Sequence, residues 1–133
     1  MNDNNEYHLH KQIAEYIRLK YPTVIFRSDL GGIKLTIGQA VKNKVLQMDD
    51  QGYPDLFIVV GRRGFHGLFL EFKKDALEIY TKNDKLRKNK HIQDQIQMMN
   101  RLLEEGYLCK FCWSFIAGTK ILDWYLKKEK SHD

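Results

Sequence analysis

Cysteine is scarce in this chain of 133 residues: only Cys109 and Cys112 are present. Their CxxC spacing is that of half a zinc site or of a redox pair. No second pair completes a metal site, and His8, His10, His66 and His91 show no ligand spacing to either cysteine. Leu108–Trp113 reads as a strand, where a three-residue step puts the two sulfurs on opposite faces. Core packing is therefore the expected role of both. Long hydrophobic runs are also missing. Apolar residues make up 43% of the chain, yet no run approaches the roughly 18 residues of a membrane span. The start, Met1-Asn2-Asp3-Asn4-Asn5-Glu6, has neither the basic beginning nor the apolar segment of a signal peptide, so a cytosolic setting is expected. Internal repeats and low-complexity stretches are absent. Gly61-Arg62-Arg63-Gly64 lacks the Lys-Ser/Thr that a phosphate-cradling loop needs.

What remains is the composition of one domain, residues 1–133, long enough to bury a core. A net charge of +5 favours polyanionic partners. The excess is uneven, because Lys82 to His91 holds five cations against one acid. Such a run is either a solvated loop or a phosphate contact.

Periodicity places a first helix over Glu6–Tyr21, with Leu9, Ile13, Tyr16, Ile17 and Lys20 recurring every three or four residues and Pro22 at its exit. Thr23–Phe26 reads as a short strand. Residues 27–54 are polar and glycine-containing, with a helical turn expected after Thr36, and a loop of that length suggests function. Two apolar runs, Leu56–Val60 and Leu68–Phe72, flank the Gly61–Gly64 turn. His91–Glu105 reads as an amphipathic helix presenting Ile92, Ile96, Met99, Leu102 and Leu103, and Gly106 stands at its C-cap position. Tyr107–Trp113 and Phe115–Lys127 follow as a strand and a helix. The order is that of a mixed sheet flanked by helices.

Chemistry concentrates on the hairpin. If the two runs pair about the turn, Asp55 faces Glu71, and Lys73, two residues on, shares the Glu71 face. Pro54-Asp55 alone is an ordinary turn dipeptide. Glu71 is the sharper signal, because it interrupts a run whose continuous apolarity implies burial on both faces. A buried carboxylate there needs a partner, either a metal or a salt bridge to Lys73 or Lys74. Two convergent carboxylates, with the Phe72 carbonyl between the functional side chains, suit a hard divalent cation such as Mg²⁺. Lys73 beside it would orient the attacking water or stabilise charge on phosphoryl oxygens. Lys74 should point to the other face, and Arg62 and Arg63 read as solvated turn residues.

Pro54-Asp55 with Glu71-Phe72-Lys73 resembles the signature of the PD-(D/E)XK nuclease superfamily. More narrowly, the chain resembles the stand-alone VRR-NUC domains of phages. The similar stretches are Phe26–Asp29, Gly31-Gly32, Lys34–Thr36, Gly38–Ala40, Gly52–Phe57, Gly67–Lys73, Gln95, Leu102 and Gly106-Tyr107. The resemblance implies a restriction-endonuclease-like α-β-β-β-α-β core and Mg²⁺- or Mn²⁺-dependent hydrolysis of DNA phosphodiesters. It also implies a homodimer acting on branched DNA such as Holliday junctions or flaps, in the cytoplasm of a bacterium or phage-infected host. Asp55, Glu71 and Lys73 carry over as the catalytic set, and Gln95 as the family's helix glutamine near the site. That family often adds a glutamate from the first helix, and this chain offers Glu6 and Glu15. At about 100° per residue, Glu6 lies about 20° from Ile13 on the inward stripe and Glu15 on the wet side, which favours Glu6. Asp29-Leu30 stands where related sequences often have asparagine before the paired glycines, so Asp29 is either a further metal contact or a loop cap. The alternative to an enzyme is a non-catalytic nucleic-acid-binding module of the same fold. It would bind in a salt-dependent manner and cleave nothing.

Overall fold

A four-residue spacing of Leu9, Ile13 and Ile17 gives the first helix one apolar edge. In the computed structural model, which describes residues 2–29, 35–48 and 51–128, that edge is buried along α1 (Asn2–Lys20). The strand expected at Thr23–Phe26 is displaced, and β1 spans Phe26–Ser28. Its β-branched residues are spent on the exit from α1, where Val24 N–H closes a turn onto the Tyr21 carbonyl. Pairing with β2 (Leu56–Ile58) begins only at Phe26, opposite Ile58. Here tertiary pairing overrides local propensity.

The sheet has the order β1-β2-β3-β4, with β3 at Gly67–Phe72 and β4 at Tyr107–Cys112. The first three strands are antiparallel, and β4 lies parallel to β3. Between these parallel strands the chain forms a 3₁₀ turn (Ala76–Glu78) and α3 (Lys90–Glu104), as a parallel connection requires. Leu56, Ile58, Leu68, Leu70 and Phe72 pack with α1 and with α4 (Phe115–Leu126) into the main core. All six residues of β3 are buried, as its unbroken apolarity implied.

The hairpin register is the expected one: Leu56 faces Leu70, Phe57 faces Phe69 and Ile58 faces Leu68. At the tip Arg62 pairs with Phe65 around Arg63 (φ 53°) and Gly64 (φ 84°), a turn with two positive φ angles. Four residue steps separate Ile58 from Arg62 but three separate Phe65 from Leu68, so the first strand carries one extra residue, as in a bulge. Arg63 is not merely solvated. Its Nε donates to the Trp124 carbonyl at 2.7 Å and its guanidinium lies 4.7 Å from that ring's centroid, fastening the tip to α4.

Where a helical turn was expected after Thr36, α2 is a full helix, Ile37–Leu46. Thr36 caps it and exchanges hydrogen bonds with Gln39 in a capping box. Gly31-Gly32 and Lys34 lie outside the described residues. On α3 the buried side chains are Ile92, Gln95 and Met98, whereas Leu103, expected on the inner stripe, is 50% exposed. Successive three-residue steps rotate that stripe away from the Leu103 edge. Gly106 ends the helix at φ 94°, the left-handed conformation of a C-cap. Cys112 is buried in the core and Cys109 is half-buried. Both are free thiols, and burial pushes each up to about 12. No helix among the described residues is long and apolar enough to cross a membrane.

Candidate active site

The pairing of Leu56 with Leu70 makes Asp55 and Glu71 the next opposed positions, and Asp55 N–H donates to the Leu70 carbonyl at 3.1 Å. The Asp55 carboxylate crosses between strands, where its Oδ2 accepts from Phe72 N–H at 2.8 Å. Glu71 is 5% exposed, Lys73 2% and Gln95 3%: three polar side chains enclosed by one cleft. Gln95 Nε2 donates to Glu71 Oε1 at 2.6 Å, so the helix glutamine that the resemblance implies near these acids touches one of them. The cleft has a volume of about 640 Å³, and Glu6, Asp29, Asp55, Glu71, Lys73 and Gln95 all line it. Glu6 is brought to the site, whereas Glu15 is exposed on α1.

Glu71 Oε2 is buried and receives no hydrogen bond from any donor among the described residues. Its neighbour is the Asp55 carboxyl, within hydrogen-bond reach. Two acceptors in that position require a proton or a cation between them. Burial, the Asp55 charge and the nearby Glu6 push the Glu71 carboxyl well above its ordinary range, against a smaller opposing pull from Lys73. Burial raises Asp55 too, against the Phe72 hydrogen bond and Lys73. Glu6 is raised to about 7 by burial and by Glu78, with which it shares a carboxyl–carboxyl hydrogen bond. Among the described residues, no three His, Cys, Asp or Glu side chains are already drawn together at metal-coordinating spacing. Glu6 meets Glu78 and also lines the cleft that holds Asp55 and Glu71.

Sequence reasoning missed several walls of this cleft. His91, one turn before Gln95 on α3, has its Nε2 3.3 Å from Gln95 Nε2, and burial and Lys73 lower its pKa. The i,i+4 spacing of His91 and Gln95 was a usable signal. Asn43 and Gln47 reach the cleft from α2, a long-range placement with no local signature. Of the basic run, Lys90 is paired with Asp94 at 2.7 Å, and residues 82–86 and 88 are exposed.

No protein-family model matches this sequence, and no curated protein matches it. Solved structures do. One described as "VRR_NUC domain protein" matches with a TM-score of 0.64 at 19% identity, covering 92% of this chain and 88% of that one. Another, "VRR_NUC domain", matches with a TM-score of 0.53 at 21% identity, over 91% of this chain and 97% of that one. The chain has the VRR_NUC fold.

Within that VRR_NUC fold, Gly52 joins the Asp55 loop to α3. Its φ is 84°, and a Cβ there would come within 2.7 Å of the Asp94 carbonyl oxygen and 2.8 Å of the Gln95 nitrogen. These are backbone atoms that cannot swing aside, so only glycine lets the loop seat against the helix that carries Gln95. Gly52→Ala is expected to cost about 1–3 kcal/mol of stability. It should also loosen the Gln95–Glu71 contact, which urea denaturation paired with a crystal structure of the variant would measure.

Proposed function

We propose that this chain is a divalent-metal-dependent endonuclease. It hydrolyses phosphodiester bonds in branched or otherwise structured DNA, such as four-way junctions or flaps, and works as a homodimer. The observation that carries the reading is the unpaired, buried Glu71 Oε2 held against the Asp55 carboxyl. The donor set is all oxygen, which suits Mg²⁺ or Mn²⁺. The ion would be held by Asp55, Glu71 and the Phe72 carbonyl, with Glu6 on the wall of the same cleft as a further carboxylate for it. When bound, it supplies a Lewis acid that eases ionisation of a coordinated water and offsets phosphoryl charge.

The chain's own residues do the rest. The facing carboxylates of Asp55 and Glu71, both raised by burial, favour a proton between them in the metal-free protein. Gln95 fixes the rotamer of Glu71 through its 2.6 Å hydrogen bond. Lys73, enclosed in the cleft, can donate to a phosphoryl oxygen as negative charge develops there. A positive net charge draws a polyanion toward these acids. A two-fold dimer would supply the two sites that symmetric junction cuts need.

The test is incubation of purified protein with supercoiled plasmid, four-way junction, flap and linear duplex DNA, with Mg²⁺, with Mn²⁺ or with EDTA. The expected result is metal-dependent nicking or cutting, strongest on the branched substrates and abolished by EDTA. Salt-dependent binding without cleavage under either metal would contradict it and point to a binding module.

A further inference from the structure

A second cleft, of about 410 Å³, opens beside the first. Asp29, Asn43, Gln47 and Tyr53 line both, so the two form one continuous groove. Arg27 and Phe57 are directly opposite across β1 and β2, and both line the second cleft. The Phe57 ring is stacked on Phe69 with centroids 4.3 Å apart and planes at 10°. It also lies over Gly67, where a Cβ would come within 2.7 Å of the ring. Beside it Tyr53 is 45% exposed and meets Phe69 edge-on at 5.6 Å. From α2, Gln47 Nε2 donates to Asn43 Oδ1 at 3.1 Å, a bond that uses neither the Asn43 amide nitrogen nor Gln47 Oε1.

We propose that this groove binds an unpaired nucleotide of the nucleic acid cut in the neighbouring cleft. The inference rests on the nuclease reading and deepens it. The base lies against Tyr53 and Phe57, its edge meets the amides of Asn43 and Gln47, and its phosphate is met by Arg27. The volume falls within the roughly 300–1,000 Å³ of small-ligand pockets and is too small for a duplex. A stacked base pair hides its flat faces between its neighbours, so an aromatic platform inside such a cleft accepts only an extruded or single-stranded base. Stacking and amide contacts together suit a nucleobase, and the adjoining cation suits the phosphate that follows it. A preference for DNA with unpaired nucleotides beside the cut is the direct consequence.

The test uses a short oligonucleotide carrying 2-aminopurine at an unpaired position, titrated with the protein in EDTA so that binding is read without cleavage. Wild type should quench the probe. The half-saturation concentration should rise about tenfold in Tyr53→Leu and again in Arg27→Gln, in line with the contribution of base stacking and phosphate contacts elsewhere. Arg27 is exposed, so its replacement spares the fold, and a thermal melt of each variant checks this. With metal, the ratio of kcat/KM on a flap to that on nicked duplex should fall about tenfold in Arg27→Gln. Identical titrations for wild type and both variants would overturn the proposal. So would equal quenching of a fully paired probe, or quenching lost as protein concentration rises, which would place a second copy of the chain in the groove. Quenching without any cleavage supports the groove and defeats the nuclease reading, whereas cleavage without quenching does the reverse.

Discussion

Glu71→Gln is expected to lower phosphodiester cleavage by about 10³-fold while raising, not lowering, the melting temperature measured in EDTA. The two effects have one origin. Glu71 is buried opposite Asp55 with an oxygen that no donor among the described residues reaches, so its charge is unfavourable without a cation. Glutamine keeps the shape and removes the charge. It can donate to Asp55, so the metal-free protein no longer needs a proton between the two side chains. The same change takes away an anionic ligand, and loss of one such electrostatic contribution to a transition state costs several kcal/mol, hence orders of magnitude in rate. Parallel measurement of single-turnover cleavage and of thermal melts in EDTA checks both halves. A variant that melts earlier yet cuts normally would show Glu71 to be a structural residue only.

The second large effect is a reversal of the usual pH dependence. Most proteins gain stability as their carboxylates ionise, because their folded pKa values are depressed. Here Glu6 is raised to about 7, Asp55 is raised and Glu71 is raised well above its ordinary range. The folded state therefore holds more protons than the unfolded chain once pH exceeds the ordinary carboxylate range of about 4. The contribution of these groups is most favourable below that range and is lost as pH rises through their raised values, about 7 for Glu6. In EDTA, the melting temperature should fall between about pH 5 and pH 8. Mn²⁺ should do little at pH 5, where protons occupy the site, and should restore most of the loss at pH 8. Melts by circular dichroism at several pH values, with and without Mn²⁺, measure this. An Mn²⁺ effect independent of pH would mean that the ion binds elsewhere.

Much of the site was legible because the hairpin carries its own ruler. The glycine-bounded turn centred the register, so the opposition of Asp55 and Glu71 followed from counting. The interruption of an apolar strand by one acid marked the buried group. Gln95 and a first-helix glutamate came from the family resemblance, and helical phase then favoured Glu6 over Glu15, which is exposed. Phase failed where it was stretched too far, at Leu103, the last of the expected stripe. Propensity failed at Thr23–Phe26, where pairing with Ile58 and its neighbours decides which residues extend. Asn43, Gln47 and His91 escaped for a different reason. Their meaning comes from which cleft they face, and no local pattern encodes which separate elements close around one cleft. Glu78 escaped likewise, although its carboxyl is the present partner of Glu6.

The most direct test of the central claim is a crystal soaked in Mn²⁺ and measured for anomalous scattering. The expected result is a peak between the carboxylates of Asp55 and Glu71, lost in Glu71→Gln. An empty space there, in crystals of a protein that still cuts DNA with Mn²⁺, would contradict it.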